Sequence, residues 1–262
     1  MITTNNGQTN ADYGITKDSL FDGELKCLQA TVGYRFSVDS VLLAHFVNVR
    51  ERDRILDMGT GCGIIILLLI YRWGKLIEEI VGIELQQNLA SLAKRNLQIN
   101  GFTNTGRIIE GDIKDILRLV PCESFDSIVC NPPFFPHCSG RHNANLEACL
   151  ARHQVLANLD DFLLAATQTV RNKGSVYFIY PAVQVGKFIE LLGKHRLAVK
   201  RLQFVYSYPQ KDVDARLVLI ECAKNGGDGA KVCPPLYIYL EKDGDYSDEM
   251  QNFYKRNSVL HQ

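Results

Sequence analysis

Three observations predict a doubly wound α/β fold around a mostly parallel sheet. From Arg54 onward, short apolar runs of strand length alternate with longer segments of helical spacing, the pattern of βαβ units. The successive runs end in a carboxylate or a tight turn: Asp57, Glu84, Gly111-Asp112, then Asn131-Pro132-Pro133. The last two runs are joined only by Ser207 to Asp214, too short for a crossover helix, so those two strands should pair antiparallel.

Taken in order, the first ~18 residues are rich in Asn, Thr and Gly and read as a frayed terminus. Leu20 to Gly33, around Asp22-Gly23, suggests a small hairpin. Val38 to Val47 reads as a helix that Ser37 or Asp39 can cap. Strands follow at Arg54–Met58, Ile80–Ile83, Arg107–Glu110, Phe125–Cys130, Ser175–Tyr180, Leu197–Tyr206 and Ala215–Cys222. Helices fall between them at Cys62–Trp73, Asn88–Asn100 with Gly101 as its stop, Asp160–Arg171 with Gly174 beyond it, and Val183–Gly193. Residues 1–50 are expected as an extension packing on a catalytic domain of 51–224, and 225–262 as a tail completing that domain.

The 262 residues suffice for a large core, and 46% hydrophobic with 22% charged residues is an ordinary globular composition. The formal net charge of +0 argues against a purely electrostatic nucleic-acid binder, though Lys194-His195-Arg196 and Lys200-Arg201 are local basic clusters, which a plain solvated surface would also explain. The start lacks a signal-peptide pattern, and Ile64 to Tyr71, the longest apolar run, is too short for a membrane span. The 8 cysteines form no C-x-x-C pair and read as reduced thiols in a cytoplasm. His137, Cys138 and His142 match no standard zinc spacing, so no metal is expected.

The turn Asp57-Met58-Gly59-Thr60-Gly61-Cys62-Gly63 follows a strand and opens a helix. Gly59 and Gly61 let the backbone turn sharply and approach a ligand, and Gly63 lets the helix pack closely. A dinucleotide site would read G-x-G-x-x-G to hold a pyrophosphate; here the spacing is G-x-G-x-G, two residues after an acid. S-adenosyl-L-methionine (AdoMet) has no phosphate, and its ammonium and carboxylate suit a strand-end carboxylate beside exposed backbone groups. A tight αβ turn is the bland alternative. Glu84 ends the next strand, where a carboxylate can accept from both ribose hydroxyls, or simply cap a helix. Asp112 can accept from the adenine amine while the Ile113 N–H donates to the ring, or Asp112 can serve only as an N-cap.

Asn131-Pro132-Pro133-Phe134 follows the fourth strand. Two prolines stiffen the turn and remove two N–H donors, leaving carbonyls and one Asn side chain exposed. The delocalised lone pair of an amide or aryl amine is a poor nucleophile. The Asn131 side-chain oxygen and the Pro132 carbonyl can accept from both N–H groups of such a nitrogen and favour a more tetrahedral one. Phe134 can stack on a flat base, worth ~1–3 kcal/mol. An ordinary strand-ending turn is the alternative. The long polar stretch from Phe135 to Arg152 reads as a substrate-shaped loop.

The Asp57 turn, Glu84, Asp112 and Asn131-Pro-Pro-Phe134, in that order, resemble the class I Rossmann-like methyltransferases of the N6-adenine and N-glutamine group. With Gly33-Tyr34-Arg35-Phe36-Ser37-Val38-Asp39, Ala151-Arg152-His153 and Tyr246-Ser247-Asp248, the chain over residues ~20 to 256 is similar to the bacterial tRNA1(Val) adenine N6-methyltransferase family. The resemblance implies a seven-stranded sheet with one antiparallel strand and AdoMet contacts at Asp57, Gly59 and Glu84, to which the turn's own geometry adds Gly61. It further implies adenine contact at Asp112, target-amine contact at Asn131, and tRNA as partner, beside the Ile113 N–H and Pro132 carbonyl read from the residues above. The family's usual Tyr after the prolines is Phe134 here, which keeps stacking but loses a hydroxyl. Of the family's G-T-D-like segment only Asp39 carries over, as a holder of the cofactor's ammonium end or as a helix cap. Guanine-N2 methylation of rRNA and glutamine methylation of protein are the alternative activities.

Overall fold

Strand-forming residues with buried side chains on both faces build the centre of this molecule, as a sheet covered by helices on both sides requires. The computed structural model describes residues 14–31, 37–133 and 157–255. A hairpin comes first: β1 (Ile15–Leu20) pairs antiparallel with β2 (Leu25–Ala30) around a turn at Phe21–Gly23, whose three residues all have positive φ. It begins several residues before the predicted Leu20, and Ile15 to Asp18 are ordered strand rather than frayed chain. The polar composition misled here because Asp18 is buried and accepts a hydrogen bond from Gln29 across the hairpin.

The large sheet contains β3 (Asp53–Met58), β4 (Ile77–Glu84), β5 (Gly106–Glu110), β6 (Phe125–Cys130), β7 (Val170–Pro181), β8 (Leu197–Tyr206) and β9 (Leu217–Lys224). Its order is β8-β9-β7-β6-β3-β4-β5. β3 pairs parallel with both β4 and β6, so strand order reverses at β3 and opens a crevice at the carboxyl ends. β9 runs antiparallel to both β7 and β8, as the short connection requires. Among the described residues the sheet has nine strands rather than the seven expected. β10 (Lys231–Val232) and β11 (Leu236–Tyr237) both pair parallel with the outer edge of β8. Two residues are too few to carry a period-two pattern, which is why the sequence hides them.

One face carries the hairpin with α1 (Val38–Phe46), α2 (Ile64–Trp73) and α3 (Gln87–Ile99); the other carries α4 (Ile116–Leu119), α5 (Leu159–Thr169) and α6 (Val185–Lys194). Ile64 to Ile70 of α2 are all buried, so this helix is apolar all round because it is surrounded. Asn96 of α3 ties the hairpin to the sheet-end turn. Its Oδ1 accepts from the Leu28 N–H at 2.7 Å, and its Nδ2 donates to Leu28 O at 3.0 Å and Cys62 O at 2.8 Å. The last helix, α7 (Asp248–Phe253), is capped by Ser247, which accepts from the Met250 N–H. It docks on α1 through a stack of Phe253 on His45 with centroids 4.0 Å apart. Burial, with Arg72 alongside, pushes the His45 pKa down to about 3, so its ring is neutral there.

α5 ends at Thr169, not Arg171, and Gly174 lies inside β7. Phe125 pairs with Val170 and Ser127 with Ser175, so residues 171–174 bulge out of the ladder. A Cβ at Gly174 would stand 2.7 Å from the Asp126 carbonyl oxygen and 2.6 Å from Val170 Cγ2. The glycine serves this close approach of two strands, a requirement that local sequence does not announce.

Candidate active site

The turn after β3 is clipped to its neighbour: the Gly59 and Thr60 N–H groups both donate to Ile83 O, at 2.9 and 3.0 Å. Gly59 and Gly61 have φ of 73° and 59°, which side chains adopt at a cost. Gly63, at the start of α2, packs against α3, where an added Cβ would meet the Ala93 Cβ at 3.2 Å.

Asp57 lies beneath this turn, 1% exposed, and is absent from the wall of the crevice. Its Oδ2 accepts from the Thr60 hydroxyl at 2.6 Å, while its Oδ1 has no hydrogen-bond partner among the described residues. Burial pushes its pKa up to about 7, with the Thr60 hydrogen bond opposing and the Glu84 charge adding to the rise. This carboxylate braces the turn through Thr60. An unpartnered buried carboxylate oxygen is costly unless a cation or donor approaches it.

Glu84, also buried, accepts from the Gly61 N–H through Oε2 at 2.8 Å and from the Gln86 N–H through Oε1 at 2.9 Å. Asp112 accepts from the Lys114 N–H at 2.9 Å, so it is an N-cap, and it lines the crevice as well. Ser37 caps α1 by accepting from the Asp39 N–H at 3.3 Å, leaving the Asp39 carboxylate at the crevice. Burial raises the Asp39 pKa, against the Ser37 hydrogen bond and the charge of Arg216, which lower it.

The crevice is a cavity of about 510 Å³ bounded by Asp39, Gly59, Gly61, Glu84, Asp112, Ile113, Asn131 and Pro132, among others. Its described lining holds three carboxylates and neither Lys nor Arg. A pyrophosphate would meet only repulsion from those carboxylates, whereas AdoMet, with its sulfonium and ammonium and no phosphate, fits them. The orphaned Asp57 Oδ1 under the same turn adds to the fit. Sequence reasoning missed Leu85, Gln86 and Leu89 after Glu84, and Ala157 and Phe162 from the start of α5. Leu85 carried a signal, as a large apolar residue beside an acidic strand end, and it is 43% exposed. Phe162 carried none: it comes from far along the chain, and its ring lies 3.6 Å from where a Gly59 Cβ would stand.

Asn131 and both prolines line the cavity at the end of β6. Phe134, the Gly33–Phe36 and Ala151–His153 segments, and His137, Cys138 and His142 lie outside the described residues. Among the described residues, no helix is long and apolar enough to cross a membrane.

The model of the methyltransferase small domain family matches residues 35–205, more than half of the chain. The chain is 30% identical over 186 residues to a protein of Aliivibrio salmonicida named tRNA1(Val) (adenine(37)-N6)-methyltransferase, a match covering 71% of this chain and 76% of that one. A protein of the same name from Porphyromonas gingivalis is 30% identical over 190 residues, covering 70% and 73%. Among solved structures, a predicted O-methyltransferase from Agrobacterium tumefaciens superposes with a TM-score of 0.66 at 21% identity, over 84% of this chain and 99% of the other, a likeness of fold.

Proposed function

The chain belongs to the methyltransferase small domain family, and from that premise we propose that it uses AdoMet to methylate the exocyclic N6 amine of adenosine in tRNA. The relatives' name specifies adenine 37 of tRNA1(Val), and we take the same nucleotide as the target. One observation carries the reading: Asn131, Pro132 and Pro133 stand in the wall of the cavity that holds the three cation-favouring carboxylates.

In this reading Glu84 keeps lone pairs for two ribose hydroxyls after accepting its two backbone N–H groups, since a carboxylate offers about four acceptor sites. Asp112 and the Ile113 N–H face the adenine of the cofactor, Leu85 lies under it, and Asp39 faces the ammonium. Gly59 and Gly61 give the methionine end its room, and Asp57 supports them from below. AdoMet supplies an electrophilic methyl group when bound.

The target adenine has to leave its stack to reach the cavity floor. The Asn131 side-chain oxygen and the Pro132 carbonyl each accept one N6 proton and hold the nitrogen's lone pair toward the cofactor. Methyl transfer from the cofactor's sulfur would leave the nitrogen cationic while Asn131 and Pro132 hold it, and its extra proton would then pass to water. No general base has to act before transfer.

The test uses purified protein, tritiated AdoMet and total tRNA from cells lacking this protein, followed by nucleoside analysis. Label in N6-methyladenosine is the expected result. Label in N2-methylguanosine, or in protein alone, would overturn the adenine assignment. Asn131→Ala should lower turnover about a hundred-fold or more while AdoMet affinity is kept; unchanged turnover would defeat the assigned role.

A further inference from the structure

The carboxyl edge of the sheet does not stop at the cavity. Cys130, just before Asn131, pairs with Phe178 of β7, and β7 continues three residues further to Pro181. At ~3.3 Å per residue the end of β7 therefore stands roughly 10 Å above the level of Cys130, about 7 Å above that of Asn131. From there a backbone ladder crosses the rim. The Ala182 N–H donates to Arg216 O at 3.0 Å, the Arg216 N–H to Val205 O at 2.8 Å, and the Ile238 N–H to Tyr206 O at 3.0 Å.

The side chains on this rim are unusual for a solvated edge. Val183 is 90% exposed. Tyr206 and Tyr237 are half-buried, pair with ring centroids 5.6 Å apart, and pack against neither apolar core. Arg216 is exposed between them and the cavity, close enough for its charge to act on Asp39. Four strand spacings of ~4.8 Å separate β6 from β11, so the rim extends roughly 19 Å from the Asn131 end, the reach of several nucleotides.

We infer that this rim is a track for single-stranded RNA flanking the target base, with Tyr206 and Tyr237 stacking on neighbouring bases and Arg216 meeting a phosphate. The inference rests on the proposed RNA methylation. A base extruded to the cavity floor leaves its neighbours at the rim, where π-faces suit any base and one cation suits the backbone. The track also fits a chain of zero net charge: stacking supplies affinity where bulk electrostatics do not.

The test is fluorescence anisotropy of a labelled single-stranded RNA dodecamer with the full-length protein, alongside calorimetric AdoMet affinity and the tRNA assay. Tyr206→Ala with Tyr237→Ala should weaken RNA binding roughly ten-fold or more, and the paired Phe substitutions should restore it. AdoMet affinity should match the unsubstituted protein in both. Val183→Asp, at a site too exposed to disturb folding, should also weaken RNA binding by placing a negative charge beside the phosphates. RNA affinity unchanged in Val183→Asp and in the double Ala protein would overturn the track while leaving tRNA methylation standing. An unsubstituted protein that neither binds the RNA nor labels tRNA, but labels protein, would overturn both.

Discussion

Glu84 Oε2 accepts a hydrogen bond from the Gly61 N–H at 2.8 Å, joining the end of β4 to the turn after β3. The same carboxylate lines the cavity, so one side chain both braces the turn after β3 and faces the cavity. Glu84→Ala should cost about 1–3 kcal/mol of stability by leaving buried N–H groups unpaired. It should also weaken AdoMet binding roughly ten- to hundred-fold through lost charge-assisted hydrogen bonds. Thermal unfolding and calorimetry measure the two separately; unchanged AdoMet affinity would remove Glu84 from the site.

Asp57 gives a pH prediction. Folded without AdoMet it takes up a proton at about 7, against an ordinary value of 3.8. Its contribution to stability is therefore fully present below the ordinary value and is lost as pH rises through about 7. Asp57→Asn should raise the Tm of the ligand-free protein at pH 8 more than at pH 5. A cationic ligand favours the ionised carboxylate, so AdoMet affinity should strengthen between pH 6 and pH 8, and the Asn variant should lose that slope. A slope unchanged by Asp57→Asn would assign it to another group.

Much of this site was legible because its acids sit at strand ends, where a carboxylate after an apolar run is conspicuous. Glu84, Asp112 and Asn131 all reach the crevice that the strand order predicts. Asp57 shows the limit of that reasoning. Sequence places it at the end of a strand but does not show that its carboxylate is buried and bonded to the Thr60 hydroxyl. Phe162 and Ala157 were invisible because tertiary packing alone brings α5 to the turn. β10 and β11 were invisible because pairing with β8, not their own sequence, makes them strands.

Asp39 separates capping from binding. The N-cap bond of α1 uses the Ser37 side chain and the Asp39 backbone, so Asp39→Ala should leave Tm nearly unchanged. AdoMet affinity should fall by up to about five-fold, the scale of a partly exposed ion pair worth ~1 kcal/mol. Equal affinity in the two proteins would leave Asp39 with no part in cofactor binding.

Gly174→Ala tests the bulge. The new Cβ would meet the Asp126 carbonyl, a backbone atom that cannot swing aside. Destabilisation of about 1–3 kcal/mol is expected, read as a lower Tm, from overpacking between β6 and β7. A Tm equal to that of the unsubstituted protein would mean the strands separate freely there.

Asn96 bonds at once to Leu28 of the hairpin and to Cys62 in the turn whose Gly59 and Gly61 line the cavity. Order in one is thus thermodynamically linked to order in the other, and the linkage runs both ways. Saturation with AdoMet should slow amide hydrogen exchange in β1 and β2, although neither strand lines the cavity. Asn96→Ala should uncouple them, so that the hairpin exchanges at the same rate with and without ligand. The hairpin would then act as a remote reporter of cofactor occupancy, and its fraying as a tax on affinity collected far from the ligand.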